Sequence, residues 1–409
     1  MEGTTNKKKI FCVILDFHRI NAFKDNILFH VENYKNLIPK DTEFYVVNVS
    51  GLEFFSNKID IRNKLNNLNY FEPNSFIELF NFFKKRNAVG VVKILNNLKN
   101  LHLHIIFKIL KIKYIIVGNI GYFPVDQQII KKNFIQKLYS FINVKFQYYL
   151  FRIFSIIGIV SKVEYFFYSS KNFVDNFNRT FSKKVERLVP FLSFSLYKNL
   201  TRVNSLYYDN FLKDKNIQSK EFIVFCDSGF DHKDRINVEG KISDKDREKY
   251  YSKLIVFFSK LKKKYNKKII YCLHPKVNYP YSENFNKIKK LVDIKKYETE
   301  DYISRSCIVI FFSSLLVNYA IMHKKKIIVI NSKYLGTFFT NRNKNYISKI
   351  NLQEVNIDDI QNINFDEVDD SIEKKINKYD FYIHEHLISQ KDLSSSEQIR
   401  NIINDKIFN

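Results

Sequence analysis

Apolar residues in this chain gather in short, nearly unbroken runs. Each run ends in a small or polar residue, and longer stretches of helical periodicity lie between them. Ile10–Leu15 is the first run and stops at Asp16; Phe44–Val49 is closed by Ser50-Gly51, and Tyr114–Val117 by Gly118-Asn119. Runs bounded in this way read as buried parallel strands. Helices are predicted between them over Phe76–Lys85 and Val91–Leu110. A second series follows at Phe222–Cys226, Lys268–Leu273, Cys307–Phe312 and Lys326–Ile330. Within it, Tyr250, Leu254, Phe257, Phe258, Leu261 and Tyr265 mark one face of a helix predicted over Asp244–Tyr265. Ser243, with Asp246 three residues on, opens that helix in the manner of a capping box with a shortened carboxylate.

Strands alternating with helices predict an α/β fold with doubly wound parallel sheets. The pattern loosens near 195–220, where Lys213, Asp214, Lys215, Asn216, Gln218 and Ser219 read as a connecting segment. The expected organisation is a Rossmann-like domain over 1–205 and a linker over 206–220. A second Rossmann-like domain over 221–375 faces the first across a cleft, and a helical segment over 376–409 packs back. In 126–168, Phe134, Leu138, Phe141, Phe146, Leu150 and Phe154 recur at roughly helical spacing, as core or as a basic surface touching lipid.

Composition narrows the class. The 409 residues include 45% hydrophobic ones, with 40 Phe and 26 Tyr, enough for two cores and too many for a disordered chain. Lys and Arg outnumber Asp and Glu by 67 to 42, giving a net charge of +25. That field favours phosphates, nucleic acid or an anionic membrane, although the Lys-, Asn- and Ile-rich, Trp-free composition also fits an AT-rich genome. Cys12, Cys226, Cys272 and Cys307 sit in apolar runs without CxxC spacing, as small buried hydrophobes in a reducing compartment. Met1–Lys9 lacks a signal-peptide pattern, and the apolar stretch Tyr148–Val160 is shorter than the ~20 residues a spanning helix needs. A cytoplasmic protein, peripheral to the inner membrane at most, is the expectation.

Ligands of open parallel sheets bind beyond the carboxyl ends of the strands, so candidate chemistry is sought there. Asp227, in Cys226-Asp-Ser-Gly229, places a carboxylate at a strand end, as a general base or as a loop cap. His274-Pro275-Lys276 follows the next strand: an imidazole for a phosphate oxygen, a stiffened turn and a positive charge. Ser313-Ser314 follows a third and opens a predicted helix through Leu315–Met322, where hydroxyls and free amides suit a phosphate. Together they fit transfer of a sugar from a nucleotide donor, with negative charge stabilised on the departing phosphate.

These three motifs, in this order, resemble those of the bacterial sialyltransferases and polysialyltransferases of the two-domain GT-B type. Those enzymes carry an acidic-acidic-Gly, a His-Pro and a Ser-Ser/Thr motif; Ser228 stands where the second acidic residue would be. Phe222–Ile330 also resembles proteins of O-antigen and capsule gene clusters, which share a Tyr-Tyr helix like Tyr250-Tyr251 and a Tyr near the His-Pro-Lys, like Tyr279. The resemblance implies a GT-B-like fold and a CMP-activated sialic-acid-like or Kdo-like donor. It implies Asp227 as the base and His274, Ser313 and Ser314 on the CMP phosphate. No cofactor or metal is implied beyond the donor, and the acceptor would be a lipid-linked or surface glycan. Asp16, His18, Arg19 and Asn119 are the acceptor-side candidates. A UDP-sugar, GDP-sugar or CDP-polyol donor is the alternative on the same scaffold. Nucleic-acid binding is the non-enzymatic one, and no helix-turn-helix, zinc finger or RNA-binding motif supports it. Asp244-Lys245-Asp246 matches a DxD metal motif but lies at a helix start, as caps do. His102/His104 and His384/His386 lack the i,i+4 spacing that aims two imidazoles at one ion.

Overall fold

The computed structural model describes residues 10–15, 27–52, 59–65, 68–86, 90–92, 101–118, 147–170, 197–214, 217, 219–229, 235–236, 239–274, 277 and 282–408. Among them the chain divides into two compact units, one of 10–204 with 390–408 and one of 205–389. Each is built on a parallel sheet with helices on both faces.

The first unit contains β1 (Ile10–Leu15), α1 (Ile27–Lys35), β2 (Glu43–Asn48), β3 (Asn69–Phe71), α2 (Phe76–Arg86), β4 (Gly90–Val92), α3 (Leu101–Ile109), β5 (Lys113–Val117), α4 (Gln147–Ile156), β6 (Val163–Tyr168) and β7 (Tyr197–Arg202). Its strand order is 3-2-1-4-5-6-7. Phe11, Val13 and Leu15 point to the face covered by α1 (Val31) and by Ile399 and Ile403 from the chain's last helix. Ile10, Cys12 and Ile14 point to the other, against Leu79, Phe83 and Phe107 of α2 and α3.

The second unit contains α5 (Leu206–Asp214), β8 (Phe222–Cys226), α6 (Asp244–Tyr265), β9 (Lys268–Leu273), α7 (Glu283–Leu291), β10 (Asp293–Lys296), α8 (Thr299–Arg305), β11 (Ser306–Phe311), α9 (Val317–Met322), β12 (Lys326–Asn331), α10 (Gly336–Ile350), β13 (Gln353–Asn356), α11 (Phe365–Ile376) and α12 (Tyr379–Tyr382). The order β10-β9-β8-β11-β12-β13 reverses direction between β8 and β11. Ile223 and Phe225 face a core with Leu254, Phe257 and Phe258 of α6; Val224 and Cys226 face one with Tyr319 and Ile321 of α9. Each such large side chain, fully buried, contributes about 1.5–3 kcal/mol. Helix α6 has the predicted bounds. Ser243 accepts the Asp246 N–H at 3.1 Å, and left-handed Asn266 (φ 48°) ends the helix.

Some expectations are corrected. Val91–Leu110 is not one helix: Gly90–Val92 is a strand, and the helix starts at Leu101. Gly90 lies under the Phe11 ring, and a Cβ there would stand 2.2 Å from Phe11 Cε2. Of the aromatic stretch, Leu150 and Phe154 lie on α4 and 163–168 is a strand; Phe134, Leu138, Phe141 and Phe146 lie outside the described residues. The segment expected as linker carries α5, whose Tyr208 is buried in the second unit's core and whose Asn210 and Asp214 bond to Glu300 and Tyr319 of the same unit. The segment 376–409 is shared between the units. Residues up to 389 stay with the second, whereas α13 (Ser395–Ile403) packs on the first. Among the described residues no helix is long and apolar enough to cross a membrane. Cys12, Cys226 and Cys272 are buried, Cys307 partly, and all four are free thiols.

Candidate functional site

The reversal of strand order in the second unit falls between β8 and β11, so the segments leaving these two strands stand at the usual ligand position of a doubly wound sheet. Those segments are Asp227-Ser228-Gly229 and Phe312-Ser313-Ser314, two of the three motifs singled out in the sequence. Both are buried up to Ser313. His274, at the end of β9, adds the third.

Direct contacts hold the motifs together. The Ser228 hydroxyl shares its proton between Phe312 O and Ser313 O (2.8 Å to the latter) and so joins the ends of β8 and β11. Asp227 N–H donates to Cys272 O of β9 at 3.0 Å. Asp227 Oδ1 accepts the Gly229 N–H at 2.8 Å, and Oδ2 accepts the Tyr271 hydroxyl at 2.7 Å. Gly229 has φ 66°, and a Cβ there would lie 2.8 Å from both methyls of Val277. Val277 belongs to the turn after β9, where its N–H donates to His274 O at 3.2 Å. Only glycine satisfies both the left-handed backbone and this close approach.

Asp227 sits buried over aromatic rings. Burial, and then the Asp227 charge, push the Tyr250 phenol well above its ordinary value. Burial likewise raises the Cys226 and Cys272 thiols, which leaves both inert. With both oxygens held by the loop and by Tyr271, Asp227 is placed to shape this strand end.

Ser313 is the unusual member. Its backbone is left-handed at φ 61°, and its side chain is 4% exposed. Its Oγ has no hydrogen-bond partner among the described residues. A non-glycine residue in this conformation is strained by roughly 1–2 kcal/mol, and a buried orphan hydroxyl adds about 1–3 kcal/mol. Ser314 Oγ accepts the Leu316 N–H at 3.3 Å, in the turn that precedes α9. The helix expected to open at Ser313-Ser314 therefore begins only at Val317 and runs six residues, without a side-chain cap. Its dipole is correspondingly short, so hydroxyls and turn amides, more than a helix terminus, offer donors here.

Pro275, Lys276, Asp16, His18, Arg19 and Asn119 lie outside the described residues. Sequence reasoning missed two residues on the same sheet edge. Arg235 is buried; its guanidinium lies 3.5 Å from Glu239 and donates to Gly240 O at 2.9 Å. Glu239 accepts the Phe338 N–H at 2.7 Å and the Thr337 hydroxyl, and a Cβ at Gly336 would meet its carboxylate. This ties the segment after β8 to the start of α10. Its only sequence signal was Gly336 shortly after a strand. Asp244 and Asp246 are engaged locally, with Arg247 and with the Ser243 hydroxyl at 2.8 Å. His104 packs its ring against Tyr114 and Phe151, His102 against Phe76, and His386 against Tyr382. Among the described residues no group of three or more His, Cys, Asp or Glu is arranged to hold a metal ion.

No protein-family model matches the chain. No curated protein matches it by sequence. Solved structures do match in architecture. The UDP-GlcNAc 2-epimerase of Methanocaldococcus jannaschii is 13% identical, with 98% of this chain and 100% of that chain covered and a TM-score of 0.50. Apo UGT2 of Phytolacca americana is 8% identical, with 98% and 100% covered and a TM-score of 0.51. The same UGT2 complexed with UDP-2fluoro-glucose and pterostilbene is 8% identical over the same shares, at a TM-score of 0.53. The fold is thus GT-B-like, with two parallel-sheet Rossmann-like units.

Proposed function

We propose that this chain is a GT-B-type enzyme acting on a nucleotide-activated sugar, whose diphosphate is gripped at the carboxyl edge of the second unit's sheet. The observation that carries the reading is Ser313. A strained backbone and an unpartnered buried hydroxyl persist where surrounding structure enforces them, and such strain concentrates at ligand sites. Here the enforcing contact is Ser228, which fixes the carbonyls of Phe312 and Ser313. In this reading Ser313, Ser314, His274, Pro275 and Lys276 line the phosphate site, and negative charge building on the leaving group is stabilised by their donors. Asp227 positions the loop through Gly229 and Tyr271, and each of its oxygens keeps a second lone pair for the acceptor hydroxyl that it would deprotonate as the base.

A UDP-sugar donor, transferred to a surface glycan, is the preferred form. Supporting UDP over CMP, the similar solved structures include a UDP-GlcNAc 2-epimerase and a UGT2 complexed with UDP-2fluoro-glucose. A CMP-activated sialic-acid-like or Kdo-like donor is the second reading, favoured by the order of the Asp-Ser-Gly, His-Pro and Ser-Ser motifs. Asp16, His18, Arg19 and Asn119 are proposed for the acceptor side. Peripheral membrane contact is assigned to the end of α4, where Ile153, Ile157 and Ile159 are exposed by 42–61%. No cofactor or metal forms part of the proposal.

Calorimetric titration of the full chain with UDP, GDP and CMP is the test. UDP is expected to bind, about tenfold more weakly after Ser313→Ala and also more weakly after His274→Ala. Binding by CMP alone would transfer the donor assignment to the second reading. Binding by none of the three would overturn the proposal.

A further inference from the structure

A cavity of about 900 Å³ lies at the opposite edge of the same sheet, where β8, β9, β11 and β12 begin. Its volume is in the range of small-molecule sites. Lys220, Lys267, Cys307 and Lys325 reach it from those four approaches, and Phe211 and Met322 belong to its apolar wall. The lining holds five lysines against one carboxylate, that of Glu373.

The pairing of these charges is uneven. Glu373 is committed to Lys326 at 2.8 Å, and Lys324 pairs with Asp380 at 2.9 Å. Among the described residues no carboxylate pairs with Lys220, Lys267 or Lys325. Lys220 and Lys267 stand exposed at the rim, whereas Lys325 is buried. The Lys325 ammonium donates to Ser304 O at 2.6 Å and Ser306 O at 2.9 Å, which leaves a third N–H without an acceptor among the described residues. A buried ammonium held by two carbonyls and no counter-charge is unfavourable until an anion joins it. Burial is the main cause that lowers the Lys325 pKa; Cys307 partly offsets it and the like charge of nearby Lys220 adds to it. His323, also on the wall, is kept neutral by burial, its pKa pushed down to about 4, and so adds no charge to the site.

We infer that this cavity binds a small phosphorylated anion, its phosphate held by Lys220, Lys267 and Lys325 and its body resting on the apolar wall. Three lysines lining one cavity suit a multiply charged phosphate better than a single carboxylate. A six-residue strand such as β11 spans about 20 Å. The occupant is therefore a second ligand, separated from Ser313 by the length of the sheet, and not the sugar donor itself.

Cys307 gives a local readout, since it lines the cavity and is the one cysteine of the four that is not buried. The full chain is pulsed with N-ethylmaleimide, an uncharged reagent, in increasing inorganic pyrophosphate at constant ionic strength. Alkylation of Cys307 is followed by mass spectrometry. Pyrophosphate is expected to protect Cys307, and Lys220→Gln with Lys267→Gln to raise the half-protecting concentration about tenfold. Lys267 lowers the Cys307 pKa, so the ligand-free labelling rate of that variant falls and protection is read relative to it, while the melting temperature stays unchanged. Protection that persists in Ser313→Gly separates this site from the donor site. Equal protection by chloride, or no response to the lysine substitutions, overturns the inference. So does protection by phosphatidylglycerol vesicles in the absence of any by pyrophosphate.

Discussion

Replacing Ser313 by glycine should make the unliganded protein more stable and the nucleotide complex weaker. Glycine removes the left-handed penalty of roughly 1–2 kcal/mol and returns about 0.5–1 kcal/mol through the freer unfolded chain. It also deletes a buried hydroxyl without a partner, worth about 1–3 kcal/mol. The balance is a net stabilisation of about 1–4.5 kcal/mol, or several degrees in melting temperature for a unit of this size. Ser313→Ala deletes the hydroxyl but keeps the strain at φ 61°, so it should stabilise by less. Both variants should lose the hydroxyl's contact with the diphosphate, about tenfold in affinity. The assay is urea or thermal unfolding without ligand, followed by calorimetric titration with UDP. A glycine variant that unfolds more easily than the parent refutes the strain argument. One that binds UDP as tightly as the parent refutes the role of Ser313 in the site.

Four further outcomes follow from the geometry. Gly229→Ala combines a left-handed φ with a Cβ 2.8 Å from the Val277 methyls and should cost about 2–4 kcal/mol, of which Val277→Ala in the same chain recovers the steric part on urea unfolding. Burial lowers the Lys325 pKa to about 8, so the unfolded chain holds more protons above that pH. Stability should therefore rise from pH 8 toward 10 in the parent, and less so in Lys325→Met, as pH-dependent unfolding would record. Ile153→Ser with Ile157→Ser should reduce co-sedimentation with anionic vesicles without changing UDP binding. Deleting 390–409 removes Ile399 and Ile403 from the first unit's core and should lower hydrogen-exchange protection of β1 while leaving β8 protected.

Most central strands were legible because burial on both faces demands continuous apolar runs: β1, β8, β9, β11 and β12 fall where the pattern placed them, whereas central β4, only three residues long, and β6 were read into helical stretches. Edge strands escaped. In β10 the residues are Asp293-Ile-Lys-Lys296, mostly exposed, and in β7 polar residues alternate through Tyr197–Arg202. A strand with one neighbour and one wet face needs few apolar residues, so nothing in its composition sets it apart from a loop. The three motifs were legible for a related reason, since ligand-binding residues follow central strands. What the sequence could not display were the contacts between them. The Tyr271 hydroxyl reaching Asp227, Ser228 reaching Phe312, and Glu239 reaching Phe338 join positions 44 to 99 residues apart, and no local pattern encodes them. The strain at Ser313 was hidden as well, because serine is an unremarkable residue until its φ is known.

Asn204 lies where the chain leaves the first unit, and its side chain exchanges hydrogen bonds with Gln390, where the chain returns. The second unit is thus spliced into the first, a topology with a consequence for synthesis. A ribosome emits the early strands first and α13 last. At about 5–20 residues per second, the surface that Ile399 and Ile403 will cover waits roughly 20–80 s for its partner. Throughout that interval Phe11, Val13 and Val31 present an incomplete face on a nascent polypeptide, and a chaperone that shields aliphatic surface has its natural period of engagement there.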